Sequence, residues 1–221
     1  MPPAGDSSDR TPAAAGGRGA RKDKAPPGVI QVRILLIDPG SRFLEKEEYT
    51  PKPYPHIGLA YLGTYLASLG FEVRVVDVAA WGVTDAALLA EVEDFGPQVV
   101  GLTAVSFLAL EAFRLASLIK SLDPGIWVVM GGAHASAVPE LVLRECPSVD
   151  VVVRGEGEAT MGDLALLLSR RGPAGDADSR PGLPGYLGEL AAVKGIVFRS
   201  PTGDPVTTAP RDPIADLDSL P

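Results

Sequence analysis

Four short stretches hold the residues whose types and spacing suit ligand chemistry. In Met130-Gly131-Gly132-Ala133-His134-Ala135-Ser136, adjacent glycines let backbone come close to a flat or bulky ligand, and His134 and Ser136 add polar groups beside it. The plainer reading is a tight turn in which Gly131 and Gly132 only reverse the chain. In Arg154-Gly155-Glu156-Gly157-Glu158-Ala159-Thr160, glycine-freed amides can meet a polar ligand tail. Arg154 can pair with an acid or with a ligand phosphate, while Glu156 and Glu158 equally suit a helix N-terminus. Leu102-Thr103-Ala104-Val105-Ser106 offers small and hydroxylated groups for a flat ligand, or a Ser106 cap on a helix starting at Phe107. In Pro53-Tyr54-Pro55-His56-Ile57-Gly58-Leu59, proline prepares a helix start, and a lone His56 is more readily a surface or packing residue than a ligand.

Residue type excludes several chemistries. The first β-like run ends at Asp38-Pro39-Gly40-Ser41-Arg42-Phe43, which is no G-x-G-x-x-G dinucleotide turn. No G-x-x-x-x-G-K-[ST] and no G-x-S-x-G is present. A phosphoacceptor receiver would end its third strand in aspartate, where Gly101-Leu102-Thr103 stands. Two histidines far apart and one cysteine, Cys146, make neither a His-rich metal site nor a disulfide, and no catalytic or metal-ligating set is assigned.

The elements that must position these loops are legible as periodicity. Short β-branched runs at 32–37, 73–76, 99–102, 126–130 and 151–153 suit strands buried on both faces. Between them lie helical stripes: Leu59/Leu62/Leu66/Leu69, Leu88/Leu89/Val92/Phe95, Leu108/Leu115/Leu118/Ile119/Leu122, a weaker stretch from Ala137 to Glu145, and Met161/Leu164/Leu167/Leu168. Strand–helix alternation predicts an α/β, Rossmann-like, doubly wound five-stranded parallel sheet of order 2-1-3-4-5. Ligands of such sheets bind outside the strands' carboxyl ends, so the loops beginning at Asp38, Thr103, Gly131 and Arg154 are the ones to watch.

Three regions are expected along the chain. Residues 1–29, rich in Pro, Gly, Ala and charge, read as a disordered tail. Residues 30–172 form the α/β domain. Residues 173–221 read as a linker, a small β-hairpin built on Gly195–Arg199 and Val206–Thr208, and a junction toward a missing domain. A net charge of −8 with no Lys/Arg cluster in the folded part argues against nucleic acid. No apolar run reaches the roughly 18–20 residues of a membrane span, and the N-terminus has no signal-like apolar stretch. The lack of disulfides fits a cytoplasmic location.

Taken together, Pro55–Leu62, Val100–Thr103, Gly131–Ala135 and Val153–Glu158, with the closing Ile214–Pro221, resemble the N-terminal cobalamin-binding domain of cobalamin-dependent radical S-adenosylmethionine enzymes. The resemblance covers about residues 32–221; each motif is loose alone, and their order and spacing are the specific part. It implies a flavodoxin-like fold holding cobalamin across the strand ends. The corrin would face the loops after the first and third strands, at Asp38, Pro39, Thr103, Ala104, Val105 and Ser106. The nucleotide tail would enter beside Gly131 and Gly132, with His134, Ala135, Arg154, Gly155 and Glu156 completing the surroundings.

Two departures from related patterns follow. Mutase-type cobalamin domains carry D-x-H-x-x-G after the first strand, with the histidine on cobalt; here Gly40 stands at that position, so cobalamin is expected to bind without a histidine lower ligand. Radical S-adenosylmethionine catalysis needs Cys-x-x-x-Cys-x-x-Cys for its cluster, and one cysteine cannot supply it. The chain alone is therefore expected not to catalyse, and Cys146 to be structural. The reading is a fragment or truncated form of a methyltransferase-like radical enzyme, partnered by a radical S-adenosylmethionine catalytic domain. The alternative is a stand-alone cobalamin carrier or sensor acting with a partner protein. A third reading keeps only the fold, without binding.

Overall fold

Val32–Ile37 alternates its side chains between two faces, and both faces are apolar, so β1 (Arg33–Asp38) is a central strand. In the computed structural model, which describes residues 32–40, 56–78, 80–170 and 186–221, β1 pairs in parallel with both β2 (Glu72–Asp77) and β3 (Val99–Thr103). β4 (Trp127–Gly131) and β5 (Val151–Val153) continue the parallel set. The expected 2-1-3-4-5 order is observed, within a larger sheet of order β2-β1-β3-β4-β5-β6-β7. The expected tail at 1–29 and most of the expected linker lie outside the described residues.

The helices are α1 (Ile57–Ser68), α2 (Asp85–Phe95), α3 (Ala109–Leu122), α4 (Ala133–Ala137), α5 (Pro139–Glu145), α6 (Glu158–Ser169) and α7 (Leu187–Ala192). One face of the sheet packs Leu35, Ile37, Val100, Leu102, Val128 and Met130 under α2, α3 and α5. The other packs Ile34, Leu36, Val99, Trp127, Val129 and Val153 under α1, α6 and α7. Three local expectations change. The weak stretch at 137–145 belongs to two helices, broken at Val138, whose backbone is non-helical before Pro139. Ser106 begins a 3₁₀ turn and caps nothing; its hydroxyl is engaged by His134. The span expected as linker contains α7, whose Leu190 is buried beside Tyr186, which stacks edge-on against Trp127 at 5.1 Å.

The C-terminal hairpin is the main difference from the expected sheet. β6 (Ile196–Arg199) pairs antiparallel with β5, and β7 (Pro205–Thr207) with β6, giving seven strands instead of five plus a separate extension. Ile196, Val197 and Phe198 are all buried, so both faces of β6 belong to the core. Its last residue caps α5: Arg199 Nη2 donates to Leu143 O at 2.6 Å and Cys146 O at 2.7 Å, and Nη1 to Val149 O at 3.3 Å. Cys146 is a buried thiol in this corner, its pKa pushed up by burial. Arg199→Met would leave two carbonyls at the end of α5, Leu143 O and Cys146 O, and Val149 O beyond it without this donor. We expect a loss of about 2–3 kcal/mol, read by urea unfolding; a loss below about 0.5 kcal/mol would mean that solvent serves those carbonyls equally well.

Candidate functional site

The cleft begins as a missing side chain. Parallel pairing sets Leu36, Gly101 and Val129 in one rung across β1, β3 and β4, all on the α1/α6 face. Between two branched residues, Gly101 lets the Leu36 side chain lean across the rung: a Cβ there would stand 2.8 Å from Leu36 Cδ2. One pleat further along β4, Gly131 repeats the omission on the same face, and a Cβ there meets nothing closer than Val153 O at 4.0 Å. Helix packing then shapes the walls. Gly162 lets α6 touch α1, since a Cβ would sit 2.9 Å from Leu69 Cδ1 and 3.3 Å from Tyr65 Cε1. Nearer their N-termini the two helices leave a space of about 230 Å³.

Strand residues Leu36, Gly101, Val129 and Val153 make its floor. His56, Gly58, Leu59 and Leu62 line it from α1, and Gly155–Glu158 and Met161 from the α6 side. Thr103, Gly131 and Gly132 stand at the strand ends. His56 is the α1 cap, its Nδ1 accepting from Leu59 N–H at 3.2 Å, which leaves the ring proton on Nε2. The walls are mostly apolar, with Glu156 and Glu158 as the acids. No His/Cys/Asp/Glu group among the described residues has a metal-holding arrangement.

Of the residues singled out by sequence, Thr103, Gly131, Gly132, Gly155 and Glu156 meet in this cleft. The others stand around it. Asp38 Oδ1 accepts from Gly40 N–H at 3.1 Å in a turn past β1, with Pro39 buried in it. Ala104 links two loops, its N–H donating to Gly131 O at 3.1 Å and its carbonyl accepting from His134 N–H at 3.0 Å. Val105 is exposed, Ser106 Oγ and His134 Nδ1 are hydrogen-bonded at 3.2 Å, and Ala135 is buried in the opposite core. Ser136 Oγ accepts from Gly155 N–H at 3.0 Å, tying the third and fourth of these loops together. Arg154 Nη2 donates to Thr208 O at 2.9 Å, its charge helps lower the Glu140 pKa, and its buried Nε has no partner among the described residues.

Gly132 is needed by the backbone. Its φ is +94°, and a Cβ would stand 2.8 Å from Ala104 O and 2.9 Å from Ala104 N. Gly131, with room around it, is the glycine that opens the cleft. Leu36, Val129 and Met161 lie outside every motif quoted from the sequence, while Leu62, Gly101 and Val153 lie within such motifs without being singled out as site residues. Their signal was the shared sheet face, which needs the strand register to be known.

An apolar cleft at the switch point of a doubly wound sheet is where α/β domains of this class bind their ligands. Residues 50–165, just over half the chain, match the B12 binding domain family, and the chain belongs to it. Its cofactor is cobalamin. An uncharacterized methyltransferase of Pyrococcus horikoshii is 34% identical over 190 residues, which are 86% of this chain and 39% of that protein. An anaerobic magnesium-protoporphyrin IX monomethyl ester cyclase of Rubrivivax gelatinosus is 29% identical over 190 residues, 86% of this chain and 32% of that protein. The chain thus spans about a third of the length of these relatives. Among solved structures, the cobalamin-dependent S-adenosylmethionine radical enzyme OxsB, with aqua-cobalamin and S-adenosylmethionine bound, superposes with a TM-score of 0.60. That match is 20% identical, covers 82% of this chain and 22% of that one, and establishes likeness of fold. No helix among the described residues is long and apolar enough to cross a membrane.

Proposed function

We propose that the chain holds cobalamin with its nucleotide tail in the cleft between α1 and α6. The corrin then lies outside, over the loops beginning at Asp38 and Thr103. The observation that carries this reading is the size and lining of the cleft. About 230 Å³ of mostly apolar space is below the roughly 300–1,000 Å³ of whole-ligand pockets, so it suits an appendage and leaves the macrocycle at the rim. Gly131 supplies the room, Gly101 is part of the floor, and Gly155 and Glu156 line the cleft where the tail enters. Thr103, Ala104, Val105, Ser106, His134, Ala135 and Arg154 shape and brace the loops that surround it.

Bound cobalamin supplies a cobalt centre able to carry a methyl group. The chain's own part is orientation. With Cys146 as its one cysteine, this sequence cannot ligate a three-cysteine cluster. We therefore assign it the cofactor-holding role in a radical S-adenosylmethionine methyltransferase-like enzyme, its catalytic unit supplied by further sequence or by a partner protein. A cytoplasmic location is part of this proposal, in keeping with a single buried thiol.

The proposal includes cobalt without a protein imidazole below it. Gly40 has no side chain to offer, and the His134 ring lies beside Phe113, with centroids 6.4 Å apart. Titration with hydroxocobalamin, followed by visible absorption, is expected to give a complex in the tens of micromolar or tighter. Reduced to cob(II)alamin, that complex should show the same electron paramagnetic resonance nitrogen splitting whether or not the protein's histidines carry ¹⁵N. A splitting that changes with the label refutes the lower-face assignment. Absence of any complex refutes the binding reading itself.

A further inference from the structure

The loop after β5 is held from behind by the segment that follows β7. Glu156 lines the cofactor cleft and also a second cavity, of about 200 Å³, shared with Ala159, Lys194, Arg211, Asp212 and Ile214. Across that boundary the Glu156 carboxylate accepts the N–H of Ile214. Arg211 makes a second fastening. Its Nε donates to Thr160 Oγ1 at 2.8 Å, and its Nη2 pairs with Asp163, both on α6. Thr160 is fully buried, and its hydroxyl also reaches Lys194 O at 3.4 Å. A third fastening lies at the loop's start: Arg154 Nη2 donates to Thr208 O, Arg154 N–H to Gly195 O at 2.8 Å, and Gly195 N–H to Ala209 O at 2.8 Å. Residues 208–214 themselves form neither helix nor strand. Thr208 is anchored on Ile196 of β6 and Ala209 on Gly195, while Arg211 and Ile214 are held by α6 and the cleft-lining loop.

We propose that residues 208–214 are a strap latched to the cofactor loop by Glu156 and Arg211, so that filling the cleft and ordering the strap reinforce each other. Glu156 and Arg211 are then positioning residues for cobalamin. Glu156 holds the loop's polar edge toward the ligand, and Arg211 fixes the α6 turn behind Met161, which lines the cleft. The inference rests on cobalamin occupying this cleft. Coupling of this kind is reciprocal: a ligand that orders the strap must lose affinity when the strap is loosened, by the same factor. The strap is followed by residues 215–221, in which Leu217 is 65% exposed. Occupancy of the cleft is thereby passed to the residues that follow the strap.

Amide hydrogen exchange on the full chain, with and without saturating hydroxocobalamin, tests this directly. Exchange across 208–214, at Ile214 above all, should slow at least about fivefold on binding, the lower end of ordinary coupling. Arg211→Ala should weaken hydroxocobalamin about 5- to 20-fold and erase that protection. Glu156→Ala should do the same, whereas Glu156→Gln, whose amide oxygen can still accept from Ile214, should keep most of both. Circular dichroism checks that each variant is folded, and the wild-type exchange comparison stands even where a variant is not. If visible absorption reports a complex while exchange over 208–214 is unchanged, the strap is passive and the inference fails alone. If Glu156→Ala binds as tightly as wild type, it likewise fails. If no wild-type complex forms, the binding proposal falls first and takes the strap with it.

Discussion

Gly131→Leu is expected to lower cobalamin affinity about a hundredfold while the domain stays folded. Gly131 ends β4 on the face that floors the cleft, and its backbone lies outside the left-handed region. With Val153 O at 4.0 Å as the nearest obstacle to a Cβ, a larger residue enters open space without strain. Leucine also suits a strand better than glycine, so the unliganded protein should lose little stability. What it loses is room. Overpacking a filled site by a few methylenes costs about 1–3 kcal/mol, and 3 kcal/mol corresponds to roughly a hundredfold in affinity. The paired substitution Gly132→Ala isolates the structural alternative. With φ at +94° and Ala104 backbone 2.8 Å from the new Cβ, it should destabilise the fold by about 2 kcal/mol or more. Equilibrium titration with hydroxocobalamin and urea unfolding, run on both variants, separate the two effects. Unchanged affinity in a folded Gly131→Leu protein would place the tail elsewhere.

The second large effect lies far from the cleft, at the other end of β4. Lys120 of α3 pairs with Asp150 at 2.7 Å, their side chains only 15% and 13% exposed. Lys120 Nζ also donates to Ile126 O at 2.6 Å, and Asp150 Oδ2 accepts from Val128 N–H at 2.7 Å, so the pair ties α3, β4 and the approach to β5 together. Burial raises the Asp150 pKa, and the Lys120 ammonium is the main influence holding it down. Lys120→Met strands the carboxylate. The expected loss at pH 7 is about 3 kcal/mol, the lower end for a broken buried pair, because the Val128 amide and nearby Arg199 remain.

The pH dependence has a definite sign. A carboxyl whose folded pKa lies above its unfolded value takes up protons more readily in the folded state. Stability therefore falls as pH rises from about 4, the unfolded aspartate value, through the raised folded one. Removing Lys120 raises that value further and widens the window. The variant's deficit against wild type should thus be largest at neutral pH and shrink as Asp150 is protonated in acid. Urea unfolding at several pH values measures it, and a deficit that does not vary with pH would show that lost packing, not charge, is responsible.

Much of the architecture was legible from periodicity. Five strands and the long helices follow from β-branched runs and apolar stripes, because both signals depend on neighbours within a few residues. β6 and β7 were visible as a hairpin, but not as members of the sheet. Whether Ile196, Val197 and Phe198 add to β5 depends on an unpaired strand edge supplied from more than forty residues away. Likewise α7 was hidden, since a six-residue helix has little pattern of its own and is held by Leu190 packing in the core. Sequence left Ser106 open between facing a ligand and capping a helix, because its partner, His134, lies across a loop.

By itself, the sequence determined which segments are strands, which loops lie at their carboxyl ends, and that glycine occurs in those loops; these follow from local conformational preference and side-chain alternation. Only the tertiary structure decided which glycine makes the cleft and which serves the backbone. Leu36, Gly101 and Val129 are separated in the chain and become one rung through parallel register, so the cleft floor they share exists only once three strands are aligned. The same holds for the strap, where Glu156 meets Ile214 across 58 residues. A cleft is a property of what adjacent chains leave unfilled, and adjacency between distant segments is set by packing.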